Sequence, residues 1–235
     1  MTRGGQILCR AALLLWAGAA TAQTITQAEY TDPTTRYAHG VLGDAVEWGA
    51  LRLTLSDGRH LVMTLPDTLV FEDTSPRLAD LDGDGRPEVV VVESSLTAGA
   101  RLAVYGPAGR IAATPHIGTR NRWLAPVGVA DLDGDGRVEL AYVDRPHLAN
   151  RLRVWRYDAG TLTHLADADG LTNHKIGWDF IPGGIRDCGT GPQMITADAG
   201  WQQVMATQFD GTRLISQPIA PYTAPRDLDA ALSCP

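Results

Sequence analysis

Two nine-residue segments concentrate carboxylates at a spacing suited to a metal ion: residues 80–88 (loop one) and residues 131–139 (loop two). Each has aspartates at positions one, three and five, an arginine carbonyl at seven and a glutamate at nine. The candidate ligands are Asp80, Asp82, Asp84, Arg86 and Glu88 in loop one, and Asp131, Asp133, Asp135, Arg137 and Glu139 in loop two. Ca²⁺ takes about six to eight oxygen ligands, so we predict two structural Ca²⁺ sites.

The residues around the loops separate them from EF-hands. An EF-hand ends in a bidentate glutamate at position twelve, where this chain has Val91 and Tyr142. The glutamates at position nine must therefore close the sites. Short apolar runs follow both loops, at residues 89–92 and 140–143, and such runs favour buried strands. The alternative is that both loops are ordinary solvated turns, because Asp and Gly favour turns.

The order strand, Asp-x-Asp-x-Asp-Gly-x-x-Glu, strand resembles the FG-GAP (VCBS-type) repeat family over about residues 77–157. The repeats of that family, which include integrin-alpha-like ones, are blades of β-propellers that hold calcium in a loop at the rim. The resemblance therefore implies a propeller with two rim-bound calcium ions.

A longer period extends beyond the two loops. Turn glycines recur at intervals of 51 residues, at Gly58, Gly109, Gly160 and Gly211. Apolar or alternating runs flank each glycine, which is typical of antiparallel hairpins. The equivalent residues expected to face the core are Leu53, Val104, Trp155 and Ala206. A period of about 50 residues built from strands indicates propeller blades.

We therefore predict an all-β protein, a small β-propeller of about four blade-like repeats. The expected bounds are 27–74, 75–125, 126–177 and 178–225, followed by a tail at 226–235, all within one domain spanning 23–235. Five blades, and an open array that dimerises, are the alternatives. The first repeat lacks an acidic loop. In the fourth, residues 181–189 keep one carboxylate and are expected to turn without metal.

The N-terminal segment and the cysteines indicate export. Residues 1–22 have basic residues, an apolar run and a small-x-small site before Gln23, typical of a signal peptide. Export to the periplasm or the medium would permit a disulfide between Cys188 and Cys234, with two separate thiols as the alternative. The net charge of −7, without a basic run, argues against nucleic-acid binding, and no later segment is apolar enough for membrane insertion. We expect a monomer.

Several polar and aromatic residues are candidates for a ligand site at one mouth of the propeller: His39, Arg122, Trp123, His147 and His174. They suit an anionic or sugar-like ligand, although packing between blades would also explain them. The chain has no Gly-x-Ser-x-Gly, His-Glu-x-x-His or zinc spacing. The favoured function is a non-enzymatic binding or scaffold module for a protein or glycan, and the rival is a small propeller hydrolase or lyase.

Overall fold

The computed structural model describes residues 23–234, together with Met1. The predicted signal peptide, apart from Met1, therefore lies outside the described residues. Within the described part of the chain, no helix is long and apolar enough to cross a membrane. Seventeen strands and one short helix make up the regular structure of residues 23–234, so the predicted all-β class is confirmed.

The first eight strands form one antiparallel sheet from two groups of four. Group one comprises β1 (Ile25–Thr34), β2 (Glu47–Leu55), β3 (His60–Thr64) and β4 (Leu69–Phe71), and group two comprises β5 (Arg77–Ala79), β6 (Glu88–Ser95), β7 (Gly99–Gly106) and β8 (Gly109–Ala113). The short strand β4 joins the groups, because Phe71 pairs with Trp48 on one side and with Glu93 on the other.

The remaining strands form a four-stranded and a five-stranded antiparallel sheet. Group three comprises β9 (Leu124–Ala130), β10 (Glu139–Asp144), β11 (Arg151–Asp158) and β12 (Thr161–Asp169), and group four comprises β13 (Leu171–Thr172), β14 (Gly184–Asp187), β15 (Pro192–Asp198), β16 (Gln203–Phe209) and β17 (Leu214–Pro221). Loop one connects β5 to β6, and loop two connects β9 to β10. Both loops therefore join paired antiparallel strands.

The predicted hairpins are present in all four groups. They are the antiparallel pairs β2–β3, β7–β8, β11–β12 and β16–β17. The turn glycines have positive φ angles, from 81° at Gly160 to 117° at Gly109, which a side chain would disfavour. The four residues expected to face the core are all buried. The hairpins and their buried positions are thus confirmed.

Successive side chains of the central strands pack into different apolar layers, as alternation along a strand requires. On β6, Val89 and Val91 pack with Leu51 of group one, whereas Val90 and Val92 pack with group three. Because both faces of β6 are covered, a continuous run of valines is stable there.

The same alternation continues through the stack formed by the four strand groups. On β10, Leu140 faces group two and Ala141 faces group four. On β15, Met194 faces group three, whereas Ile195 packs against Leu228. Leu228 belongs to α1 (Arg226–Ala230), a helix within the predicted tail that the sequence patterns did not predict. The helix therefore covers the outer face of group four.

The outer face of group one is polar. Arg52 donates to Glu29 at 2.8 Å, both residues are partly exposed, and Val62 beside them is 58% exposed. Among the described residues, none of the four apolar clusters combines strands of groups one and four. The stack thus has a polar face at one end and a helix at the other, and closure into a four-bladed ring remains a prediction.

Residues 181–189 differ from the expected simple turn. Residues 184–187 form β14, which pairs with β15 from Gly184↔Ile195 to Asp187↔Pro192. The connection from β14 to β15 is therefore only residues 188–191, whereas the equivalent connection from β9 to β10 has eight residues. Cys188 in this short connection forms a disulfide with Cys234, which confirms the predicted pairing. A covalent link holds group four at the place that acidic loops occupy in groups two and three.

Candidate metal loops and a histidine–arginine pocket

Loop one brings three carboxylates together. Oxygens of Asp80, Asp82 and Glu88 lie within 4.8 Å of one another. The backbone curls inward because Gly85, at φ 80°, donates its N–H to Asp80 at 2.9 Å. The N–H of Leu81 fixes Glu88 by donating to Oε2 at 2.9 Å. These bonds hold the carboxylates close despite their mutual repulsion.

The third aspartate of loop one has a different partner. Asp84 accepts from Nε of Arg86 at 2.8 Å, and this hydrogen bonding lowers the pKa of the Asp84 carboxyl. Of the four predicted carboxylate ligands in loop one, the structure therefore clusters three, and the fourth pairs with the arginine whose carbonyl is the fifth predicted ligand.

Loop two repeats this geometry with deeper burial. Oxygens of Asp131, Asp133 and Glu139 lie within 4.8 Å of one another, and Glu139 is fully buried. Burial is the largest effect on the Glu139 carboxyl and raises its pKa. Asp135 pairs with Arg137 at 2.7 Å, as Asp84 does with Arg86. The two loops therefore fold alike around the same three positions.

An arginine outside the motif distinguishes loop two. Arg156 on β11 reaches Asp133 at 2.8 Å, Asp135 at 3.0 Å and Glu139 at 2.5 Å. The residue 51 positions earlier is Tyr105, which bonds Glu93 instead. None of the ion pairs found among the described residues involves the clustered carboxylates of loop one. The carboxylates of loop two thus have a guanidinium partner, Arg156, that the clustered carboxylates of loop one lack. The motif spacing did not predict this partner.

Each loop lies against a hairpin turn of the next strand group. Asp82 of loop one lines a cleft with Tyr157 and Asp158 at the β11–β12 turn. In loop two, Asp133 lies so close to Gly211 of the β16–β17 turn that an added Cβ would be 3.3 Å from its carboxylate. A cation bound at either loop would therefore affect how tightly successive strand groups pack together.

Four of the five predicted ligand residues line a single cavity of about 280 Å³. We call it the central pocket, and its lining residues are His39, Val41, Asn121, Arg122, Trp123, Arg145, His147, Leu148 and Ile176. The fifth predicted residue, His174, lies behind the wall and contacts His147 at 3.0 Å. The five side chains therefore lie close together, and their role in ligand binding remains a prediction.

A buried carboxylate orients His39. Glu72 is fully buried and accepts from Nδ1 of His39 at 2.5 Å and from the hydroxyl of Ser94. Burial raises the pKa of the Glu72 carboxyl, and the hydrogen bonds from His39 and Ser94 oppose that rise. Because Nδ1 donates to Glu72, the Nε2 atom of His39 remains for the pocket.

His147 and His174 form a short chain of imidazoles. Nε2 of His174 lies 2.9 Å from the carbonyl of Trp178, which only accepts, so this nitrogen carries the proton. Burial lowers the pKa of both histidines to about 4, so each is neutral at pH 7. Nδ1 of His174 therefore accepts from Nε2 of His147, which leaves Nδ1 of His147 as a free acceptor.

The pocket lining has a positive formal charge in an acidic chain. It contains Arg122 and Arg145 and no Asp or Glu, whereas the chain has a net charge of −7. Asp144 balances Arg145 through bonds of 2.9 and 3.1 Å. Arg122 donates only to the carbonyl of Asn121, at 3.0 Å, and forms no ion pair with any described residue. Sequence patterns had given no signal of Glu72.

The fold and these sites define an all-β repeat protein with acidic loops between paired strands. Residues 80–142 match the family model described as an FG-GAP-like repeat. The chain therefore contains a repeat of this family, and the resemblance inferred from the two loops is confirmed over these residues. No curated protein matches the chain.

Proposed function

We propose that this chain is an exported, calcium-stabilised FG-GAP repeat protein that acts as a non-enzymatic binding or scaffold module for a protein or glycan. The observation that carries the proposal is the pair of matching carboxylate clusters, both within the matched segment. Oxygen-only clusters suit a hard cation such as Ca²⁺. The metal would be structural, because each loop lies between successive strand groups.

The two loops are proposed to bind calcium unequally. In loop one, Asp80, Asp82 and Glu88 would hold the ion with the carbonyl of Arg86. In loop two, the equivalent oxygens already accept from Arg156. A cation there must displace a guanidinium, so loop two would bind more weakly.

The four strand groups would be propeller-type blades in one domain. The polar outer face of group one and the helix over group four would protect the two terminal faces, as end units of a repeat array require. The N–H of Gly177 donates to the carbonyl of Val41 at 3.0 Å, and this contact between the connections of groups four and one supports an arrangement of the groups around the central pocket. With both ends protected, the array would be monomeric and have no need of a second copy.

Export is supported by the disulfide, since such bonds persist in oxidising compartments. Cleavage near Ala22–Gln23 would release the mature protein to the periplasm or the medium. Its acidic net charge argues against nucleic acid as a partner.

Calorimetric titration of EDTA-treated protein with Ca²⁺ tests the metal assignment. We expect one tighter site that Asp82→Ala removes and one weaker site that Asp133→Ala removes. Ser56→Ala, in a turn outside both loops, is the control. Absence of binding heat, with no effect of either aspartate variant on bound metal measured by dialysis, would contradict the assignment.

The pairing of His39 with buried Glu72 supports a second candidate function, a hydrolase or lyase with His39 as general base. Release of reducing ends from acidic and neutral polysaccharides, compared between wild type and His39→Gln, tests it. Release that is absent, or equal in the two proteins, would exclude this role for His39.

A further inference from the structure

The central pocket combines an unpaired guanidinium with two imidazole nitrogens, and we infer that it binds a hydroxylated carboxylate such as the uronic acid unit of an acidic glycan. This inference rests on the proposed function as a binding module and specifies its ligand. Three features carry it: the charge of the lining, the polarity of its hydrogen-bonding groups and the preorganisation of its walls.

The charge of the lining selects an anion. Arg122 lines the pocket, and its guanidinium has one backbone acceptor and no carboxylate partner among the described residues. Arginine presents donors in a fork that matches a carboxylate. A ligand carboxylate would supply the partner that the protein does not.

The hydrogen-bonding groups beside the arginine select hydroxyls. Nδ1 of His147 is a free acceptor because the N–H at Nε2 of the same ring donates to His174. Nε2 of His39 is a second imidazole nitrogen at the pocket, because Nδ1 of the same ring is held by Glu72. A hydroxyl group can both donate to and accept from such nitrogens, whereas a simple anion such as acetate only accepts and leaves Nδ1 of His147 without a donor.

The walls of the pocket are held in place before any ligand arrives. Asn121 and Arg145 have φ angles of 55° and 47°, a conformation that is uncommon outside glycine and concentrates at functional sites. The N–H of Arg145 is tied to the carbonyl of Trp123 at 3.0 Å. Trp123 is in turn fixed by a 2.8 Å bond from Nε1 to the carbonyl of Glu72.

The size and rim of the pocket suit a single sugar unit. Its volume of about 280 Å³ is just below the range of small-molecule sites, which span about 300 to 1,000 Å³, so only a small ligand fits. Leu148 and Ile176 at the rim are 64% and 71% exposed. These side chains would contact the C–H face of the ring.

Titration calorimetry of the full chain in calcium buffer tests the inference, with glucuronate and galacturonate as probes. Glucose, acetate and the methyl ester of glucuronate are the matched controls, since each lacks either the charge or the hydroxyls. We expect a uronate to bind at least tenfold more tightly than any control. Equal binding of acetate would reduce the pocket to a simple anion site, and absence of uronate binding would overturn the inference.

A pair of variants locates the site. Arg122→Gln should weaken uronate binding about tenfold or more, because a charge-assisted hydrogen bond contributes about that factor. Arg120→Gln makes the same charge change in the same loop outside the pocket lining, and should stay within about twofold of wild type. Equal effects of both variants would refute the assignment to this pocket.

The outcome is separable from that for the proposed function. Thermal unfolding of the same samples with and without Ca²⁺ reports the metal sites independently of the pocket. If calcium stabilises the chain and no uronate binds, the ligand assignment fails while the calcium-stabilised module stands. The methyl ester comparison uses wild-type protein alone, so it decides the carboxylate requirement even if a variant folds poorly.

Discussion

Replacing Arg156 with glutamine should make the stability of the chain more dependent on calcium. The arginine side chain is 12% exposed and bonds Glu139, which is fully buried, and Asp133, which is 9% exposed. Breaking a buried ion pair costs about 3–5 kcal/mol because it leaves an uncompensated charge. Since Arg156 lies near the rim, we expect Arg156→Gln to lower the free energy of unfolding by about 2–4 kcal/mol in EDTA.

Calcium should reverse much of this loss. The oxygens freed from Arg156 would be available to the ion, and binding at about 100 times the dissociation constant stabilises a folded state by about 2.7 kcal/mol. Urea unfolding monitored by circular dichroism, in EDTA and in excess Ca²⁺, measures both quantities. The calcium-dependent gain should be larger in Arg156→Gln than in wild type.

The control is Arg151→Gln on the same strand, because Arg151 pairs with Asp169 at the surface, where the side chains are 37% and 70% exposed. Such a pair contributes about 0–1 kcal/mol, and its loss should be the same with and without calcium. If Arg156→Gln also loses equal stability in EDTA and in calcium, Arg156 does not compete with a cation and the inequality of the loops is refuted.

Three further changes test the fold. Burial raises the pKa of the Glu47 carboxyl to about 9, above its usual 4.5. The contribution of the protonated Glu47 side chain to stability is therefore present at low pH and is lost as the pH rises. Glu47→Gln should raise the free energy of unfolding by about 1–3 kcal/mol at pH 7 and leave it unchanged near pH 4.5. Leu228→Ala should cost about 2–4 kcal/mol by opening a cavity between α1 and β15. Cys234→Ser should lower the free energy of unfolding by about 2–4 kcal/mol, because it removes the disulfide to Cys188, which closes a loop across a sequence separation of 46 residues.

Urea unfolding checks all three. A pH-independent effect of Glu47→Gln would contradict the burial argument. A loss below about 0.5 kcal/mol for Leu228→Ala would mean that the helix does not cap group four. Equal stability of Cys234→Ser and of wild type under reducing and oxidising conditions would show that the disulfide does not stabilise the fold.

Local patterns were enough to predict the hairpins and their buried residues. A turn glycine such as Gly160 and the apolar residue five positions before it, Trp155, are set by neighbours in the chain. The loop carboxylates belong to the same category, because one short segment determines their geometry. The apolar run at residues 89–92 also predicted a strand. Only the packing of strand groups against both faces of that strand explains why the run is apolar throughout.

Contacts between distant segments could not be predicted in this way. Arg156 on β11 lies directly opposite Glu139 on the neighbouring strand β10. Glu72 meets His39 across 33 residues. Neither pair follows from the motif spacing, because the first depends on the register between β10 and β11 and the second on how the β1–β2 connection packs against the segment after β4. The helix at Arg226–Ala230 is five residues long, too short to show a helical period.

Thermal unfolding with EDTA and with Ca²⁺, on wild type and on Asp82→Ala/Asp133→Ala, tests the central claim most directly. Calcium should raise the wild-type midpoint by about 5–10 °C, which corresponds to about 2.7 kcal/mol for a chain of this size, and the double variant should lose that rise. Coincident wild-type curves in the two buffers would show that both loops are ordinary turns and would contradict the proposed calcium sites.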